Sequence, residues 1–239
     1  MRALLHPTGH LFPIKDADVH TQYGFVSAAD CKARPGTRVM TNKGIQMTII
    51  EMSFLDRYLR LSRGAQIMTR KDIAFIAAHT GVNRQSVVID AGAGTGAFAC
   101  FIAQWVKKVY TYDIREDHLN LVKKNIVTLG IKNVIAKQGD IYQGIKEKNA
   151  DLLNLDVPEP WQAITAAEQC IRPGGYLSSY SPSITQSAQM ANALLMHQSF
   201  TYESTVEIIK RDWEIEDRKV RPTTSSIGHT GFLTFARRI

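Results

Sequence analysis

The sequence predicts a doubly wound α/β domain built on a mostly parallel sheet and preceded by a small β domain. Three observations carry this. From residue 86 onward, short apolar runs alternate with segments of helical periodicity, the pattern of a parallel sheet with helices on both faces. Four of those runs end in or near an aspartate, Asp90, Asp113, Asp140 and Asp156. Before residue 53, in contrast, turns at Pro7-Thr8-Gly9, Arg34-Pro35-Gly36 and Asn42-Lys43-Gly44 separate short segments such as Gly24-Phe25-Val26 and Ile45-Gln46-Met47-Thr48-Ile49-Ile50.

In chain order, residues 4–50 read as the small β domain, within a domain spanning 1–52. Helical periodicity begins at Ser53-Phe54-Leu55-Asp56 and runs to Leu61. It resumes over 69–80, where Ile73, Phe75, Ile76 and Ala77 offer a buried face, so a helical linker is expected over 53–85. Val87-Val88-Ile89 is the first strand of the larger domain (86–239), followed by a glycine loop and a helix over 97–106. Val109-Tyr110-Thr111-Tyr112 is the second strand, with a helix over 116–129 closed by Gly130 as C-cap. Val134-Ile135-Ala136 and Leu152-Leu153-Asn154-Leu155 follow as strands. A helix over 161–171, a turn at Arg172-Pro173-Gly174-Gly175, a strand over 176–180 and a helix over 185–198 continue the alternation. The tail breaks it: strands over 205–210 and 231–236, joined by a polar loop, predict an antiparallel pair at the sheet edge.

Of the 239 residues, 44% are apolar and 21% charged, an ordinary globular composition that excludes disorder, collagen-like and disulfide-scaffold classes. Cys31, Cys100 and Cys170 are odd in number and widely spaced, so neither a disulfide framework nor a metal site is expected. The uncharged stretch 91–106 has 16 residues with three glycines, short of the roughly 20 a membrane-spanning helix needs. Pro7 interrupts the start before an apolar region of signal-peptide length could form. A cytoplasmic protein without membrane association is expected. The net charge of +7 is concentrated: residues 1–80 carry 11 basic against 6 acidic side chains. A localised basic surface attracts polyanions, with nucleic acid the leading candidate and a solubility surface the alternative.

The most informative segment is Asp90-Ala91-Gly92-Ala93-Gly94-Thr95-Gly96-Ala97, between a strand and a helix. Its glycines permit a tight turn and close approach of a ligand to the backbone. It nearly satisfies the dinucleotide fingerprint G-x-G-x-x-G/A. Three details favour S-adenosylmethionine instead. An acid two residues before the first glycine suits an amino-acid ammonium better than a pyrophosphate. The next strands end in Asp113, suited to the ribose hydroxyls, and Asp140, suited to the adenine amino group. The terminal strand pair is foreign to the usual dinucleotide arrangement. In Leu155-Asp156-Val157-Pro158-Glu159-Pro160-Trp161, Asp156 ends the fourth strand, where open α/β sheets bind ligands, and is the candidate catalytic residue facing the methyl acceptor.

These residues, together with Arg63-Gly64-Ala65-Gln66-Ile67, Asp113-Ile114-Arg115-Glu116-Asp117-His118, the ending Gly228-His229-Thr230-Gly231-Phe232-Leu233-Thr234-Phe235-Ala236-Arg237, and His20-Thr21 and Gly24 in the amino-terminal domain, resemble the tRNA (adenine-N1)-methyltransferases that modify the T loop. The resemblance covers nearly the whole chain. It implies the seven-stranded class I methyltransferase sheet, methylation of adenine at position 58 (in archaeal-type members also 57), tRNA as partner and a homotetramer. The small β domain would help grip tRNA, and the linker would close over the cofactor. Carried over by position, Gly92, Gly94, Thr95, Gly96, Ala97 and Phe98 would contact S-adenosylmethionine through the turn and helix start, Asp113, His118 and Asp140 along its nucleoside, and Gln66 over its methionine end. Where the family often has Tyr-Pro before Lys71-Asp72, this chain has Thr69-Arg70. That leaves Trp161 and Tyr180 as aromatic candidates to stack on the target base, and His229 as a further candidate substrate contact. Two alternatives stay open: a methyltransferase for another substrate, and a non-catalytic tRNA-binding subunit, which would have no need of the glycine loop or Asp156.

Overall fold

The computed structural model describes residues 1–62, 67–225 and 227–239. The chain divides into two units, Met1–Leu61 and Ser62–Ile239.

In the first unit, β1 (Arg2–Leu5), β2 (Leu11–Pro13), β5 (Arg38–Met40) and β6 (Gln46–Glu51) form an antiparallel sheet of order β2-β1-β6-β5, beside a two-stranded ribbon of β3 (Val19–Thr21) and β4 (Gly24–Val26). Alternation along β6 sends Met47 and Ile49 inward, where they meet Leu4, Val26 and Cys31. The helix expected from residue 53 is a short α1 (Phe54–Tyr58) and belongs to this unit. A reciprocal cap starts it: the Asp56 amide donates to Ser53 Oγ (3.1 Å), and the Ser53 amide donates to Asp56 Oδ2 (2.8 Å).

The second unit holds α2 (Arg70–Thr80), β7 (Val87–Ala91), α3 (Ala97–Ile102), β8 (Lys108–Asp113), α4 (Glu116–Leu129), β9 (Val134–Gln138), β10 (Ala150–Leu155), α5 (Ile164–Cys170), β11 (Ile171–Ser181), α6 (Ile184–Leu195), β12 (Phe200–Glu207), β13 (Trp213–Glu216), β14 (Lys219–Pro222) and β15 (Phe232–Arg238). Seven of these strands form one sheet of order β12-β15-β11-β10-β7-β8-β9. Pairing is parallel from β11 through β9, while β15 runs antiparallel to both its neighbours, so the expected terminal pair is present as β12 and β15. Consecutive residues point to opposite faces, which explains the continuous apolar runs. Ile89 and Leu153 join a core with Leu177 and Met190, whereas Val88 and Leu152 join one with Phe235. Ile73 and Ile76 of α2 are fully buried in the latter, each contributing roughly 1.5–3 kcal/mol.

Three local expectations are corrected. The helix predicted over 97–106 stops at Ile102, because the chain must turn back into β8; Asn133 Nδ2 satisfies the freed carbonyls of Ala103 and Val106, at 2.9 Å each. The predicted turn at 172–175 is absorbed into β11, with a register shift against β10 between Ala150 and Leu152. The loop expected between the last two strands contains the β13–β14 hairpin, whose exposed surface mixes Trp213, Ile215 and Val220 with charged residues and so gave no buried-strand signal. No described helix is long and apolar enough to cross a membrane.

Candidate active site

Strand order reverses at β7: the chain proceeds to β8 and β9 on one side and returns through β10 and β11 on the other. Such a switch point opens a crevice beyond the carboxyl ends of the strands. A cavity of about 380 Å³ lies there, with Gly92 and Gly94 from the loop after β7, Asp113 and His118 after β8, Asp140 after β9 and Asp156 after β10 on its wall. Ile141, Tyr142, Val157 and Pro158 supply apolar surface that the sequence reading did not single out. Tyr142 carried a usable signal, two residues beyond Asp140.

The glycine loop is folded onto β8. The amides of Gly92 and Ala93 both donate to the Tyr112 carbonyl (2.9 Å each), and the Gly94 amide donates to Asp113 Oδ2 (2.9 Å). Gly92 has φ +92°, and a Cβ there would collide with the Asp156 carbonyl. Gly94, at φ +51°, has nothing within 4 Å of the place a Cβ would take, leaving the backbone open to the cavity. Thr95, Ala97 and Phe98 are buried beneath the loop and Gly96 packs on Val122, so these four support the turn while the cavity wall is formed by Gly92 and Gly94.

The acids occupy different environments. Asp113 accepts from His118 Nδ1 (3.0 Å) and from the Arg115 amide (3.0 Å) as well as from Gly94. Asp140 starts a 3₁₀ turn by accepting from the Tyr142 amide (2.9 Å). Asp90, 1% exposed, stands behind the wall: Thr111 Oγ1 donates to one carboxyl oxygen (2.7 Å) and Asn154 Nδ2 to the other (3.0 Å). Burial pushes its pKa up to about 7, although those hydrogen bonds pull it down. Asp156 is set by its own backbone, whose amide donates to the Ala91 carbonyl (2.8 Å). No side chain among the described residues donates to its carboxylate, and burial, reinforced by the Asp90 charge, raises it to about 7.

The remaining candidates lie apart from the cavity wall. Trp161, half-buried in the 3₁₀ turn over Pro160–Ala163, packs against the core that contains Leu155. Tyr180 is 5% exposed, lies against Gly231 and donates its hydroxyl to the Thr230 carbonyl. His229 is exposed, held by Glu207 (2.6 Å) and the Pro182 carbonyl (2.9 Å). Gln66, with Arg63, Gly64 and Ala65, lies outside the described residues.

A family model, the tRNA methyltransferase complex GCD14 subunit, matches residues 57–221. The tRNA (adenine(57)-N(1)/adenine(58)-N(1))-methyltransferase TrmI of Methanocaldococcus jannaschii is 31% identical, across 91% of this chain and 86% of that protein. The chain belongs to this tRNA methyltransferase family. Two solved structures share the fold of the family. An S-adenosylmethionine-dependent O-methyltransferase of Thermotoga maritima is 28% identical with a TM-score of 0.90, covering 100% of this chain and 92% of that one. The tRNA (m1A58) methyltransferase TrmI of Aquifex aeolicus has a TM-score of 0.85 at 19% identity, covering 100% and 97%. The residues present fit the cofactor of this fold. The cavity has the volume of a small-molecule site, acids stand at successive strand ends, and the backbone at Gly94 is open.

Proposed function

We propose that this protein transfers a methyl group from S-adenosylmethionine to N1 of adenine in the T loop of tRNA, at position 58 with 57 as a second target, giving 1-methyladenosine. The observation that carries the reading is the Asp156 carboxylate: it faces the cavity, has no donor among the described residues, and holds a proton affinity far above that of an ordinary aspartate.

Asp113 and His118 would hold the cofactor's ribose, Asp140 its adenine amino group, and the turn over 92–98 its methionine end, with Gln66 closing over it. Asp90, its oxygens committed to Thr111 and Asn154, would act from beneath, fixing the loop and raising the basicity of Asp156. When bound, the cofactor supplies a methyl group activated by a sulfonium charge. N1 of neutral adenine already carries a lone pair, so the protein's task is mainly to hold it in line at about 3–3.5 Å from the methyl carbon. Positive charge then develops on the ring and makes the N6 amino group more acidic. Asp156, accepting from that amino group, would orient the base and stabilise the charge, and its raised basicity strengthens the bond.

N1 lies on the Watson–Crick edge, so the nucleotide must be extracted at a cost of a few kcal/mol, offset by phosphate contacts. Lys32, Arg34, Arg38 and Lys43, all exposed on the small β unit, support its role as a grip on tRNA. A homotetramer in the cytoplasm is part of the proposal; exposed Trp213, Ile215 and Val220 on the β13–β14 hairpin are apolar surface suited to a second copy. O-methylation is the second reading, favoured by the description of the Thermotoga structure, and in it Asp156 would act as the base. Incubation with labelled cofactor and either total tRNA or protein extract tests the substrate class: label is expected in tRNA, and label confined to protein would refute the proposal.

A further inference from the structure

Beside the cavity, a second polar cluster joins α2 to the segment before β15. Asp72, 0% exposed, accepts from Thr69 Oγ1 (2.7 Å), Thr230 Oγ1 (2.9 Å) and Lys71 Nζ (2.7 Å). Lys71 Nζ also donates to Thr230 Oγ1 (2.6 Å), and the Tyr180 hydroxyl donates to the Thr230 carbonyl. The adjacent His229 has both ring nitrogens facing acceptors, a Glu207 carboxylate and a main-chain carbonyl, an arrangement that favours the doubly protonated ring. Its pKa is raised first by Glu207 and then by the Pro182 carbonyl, while Lys71 lowers it, which places the two cations within each other's field.

Of the two carboxylates that balance these charges, Asp72 lies on the inner side of the cluster, while the side chain of Glu207 is 30% exposed beside His229. Asp72 is wholly covered, whereas the side chains of Lys71 and His229 are 18% and 44% exposed and Arg70 beside them is exposed. An ammonium has three donors; two on Lys71 are committed, and among the described residues the third has no partner. The cluster sits at the same end of the sheet as Asp156. Leu155 pairs with Ser179 and Ser181 pairs with Phe232, so Thr230 lies beyond the same end of the sheet, displaced sideways from β10 by about two strand spacings, roughly 10 Å.

We propose that Lys71 and His229, flanked by Arg70, form a phosphate-binding site that grips the RNA backbone next to the extracted adenosine. The inference rests on the methyl-acceptor reading above and adds a second anchor, on the catalytic unit, to the basic surface of the small β unit. Asp72 and Thr230 are the positioning residues: they fix the ammonium and the loop from behind without touching the ligand. The phosphates flanking an extracted nucleotide stay near its base, and this cluster and Asp156 lie at the same end of the sheet, two strands apart.

The test is the salt dependence of tRNA binding by the full chain, compared for wild type, Lys71→Gln, Lys71→Arg, His229→Gln and the exposed Arg70→Gln. Each lost phosphate contact removes about one unit from the slope of log affinity against log salt. Lys71→Gln and His229→Gln are expected each to flatten the slope by about that amount, raise KM for tRNA several-fold and leave cofactor affinity unchanged, with Lys71→Arg close to wild type. Arg70→Gln, on an exposed side chain, keeps the test valid if a variant at Lys71 folds poorly, and should flatten the slope too. An unchanged slope in all the Gln variants, or lost cofactor affinity in place of lost tRNA affinity, overturns the site while leaving tRNA methylation by the wild type intact. A wild type that neither binds nor methylates tRNA overturns both this inference and the proposed function.

Discussion

The main-chain carbonyl of Asp156 occupies the space that a Cβ on Gly92 would fill. The glycine loop and the candidate catalytic aspartate are therefore one steric unit: neither can shift without the other. Gly92→Ala is expected to push the end of β10 outward and to strain a backbone at φ +92°, a conformation L side chains rarely adopt. Both cofactor affinity and turnover should fall at least tenfold in a calorimetric and steady-state comparison. Gly94→Ala, with open space at its Cβ position, tests the steric unit by contrast: apo stability should change only by the cost of its positive φ, about 1 kcal/mol, and cofactor affinity should fall because the methyl group enters the cavity.

Asp156→Ala removes a group facing the acceptor without touching the loop, since the loop meets its main chain. Turnover should drop by roughly 10²–10³, the magnitude seen when one preorganised electrostatic contact to a developing charge is lost. Cofactor dissociation constants should stay within about threefold of wild type. Proportional losses of both would assign Asp156 to cofactor binding.

The raised pKa of Asp156 gives the pH dependence a definite sign. The ionised form is the stronger acceptor for N6 and the one that balances the developing ring charge, so turnover should fall as pH drops through about 7. For stability, the folded pKa lies above the unfolded one, near 3.9. Below both values the group is neutral in either state and contributes nothing. Between about 4 and 7 folding must take up a proton, so stability falls as pH rises, and above about 7 the cost is complete. Asp156→Asn should therefore raise the Tm of the ligand-free protein at pH 8 and leave it nearly unchanged at pH 4. A gain of equal size at both would mean the effect is one of packing.

Asp72→Ala leaves Lys71, Thr69 and Thr230 without their common acceptor in a buried setting. Chemical denaturation should report a loss of about 2–3 kcal/mol. Asp72→Asn, which keeps one acceptor, should lose less; equal losses would point to the charge alone.

The sheet was legible because both of its signals are local. Runs such as Val87-Val88-Ile89 and Leu152-Leu153 are apolar on consecutive residues only when both faces are covered, and three of the four aspartates marking strand ends, Asp113, Asp140 and Asp156, line the cavity. Gly92 and Gly94 were likewise readable as backbone requirements. Partnership between distant residues was not. Asp90 carries the same sequence signature as Asp113, yet its oxygens are taken by Thr111 and Asn154, 21 and 64 positions away, and it stands behind the wall. Tyr180 read as a stacking aromatic but is covered by Gly231, and Lys71 meets Thr230 across 159 residues. The β13–β14 hairpin escaped because its apolar residues are exposed, which removes the burial that makes a strand periodic.

The most direct test is to incubate tRNA lacking T-loop methylation with the protein and labelled S-adenosylmethionine, digest it, and map the labelled nucleoside. The label is expected in 1-methyladenosine at position 58, with or without 57, and to appear roughly 10²–10³ times more slowly with Asp156→Ala. Label on a ribose or another oxygen, or none in tRNA at all, would contradict N1 methylation as the protein's activity.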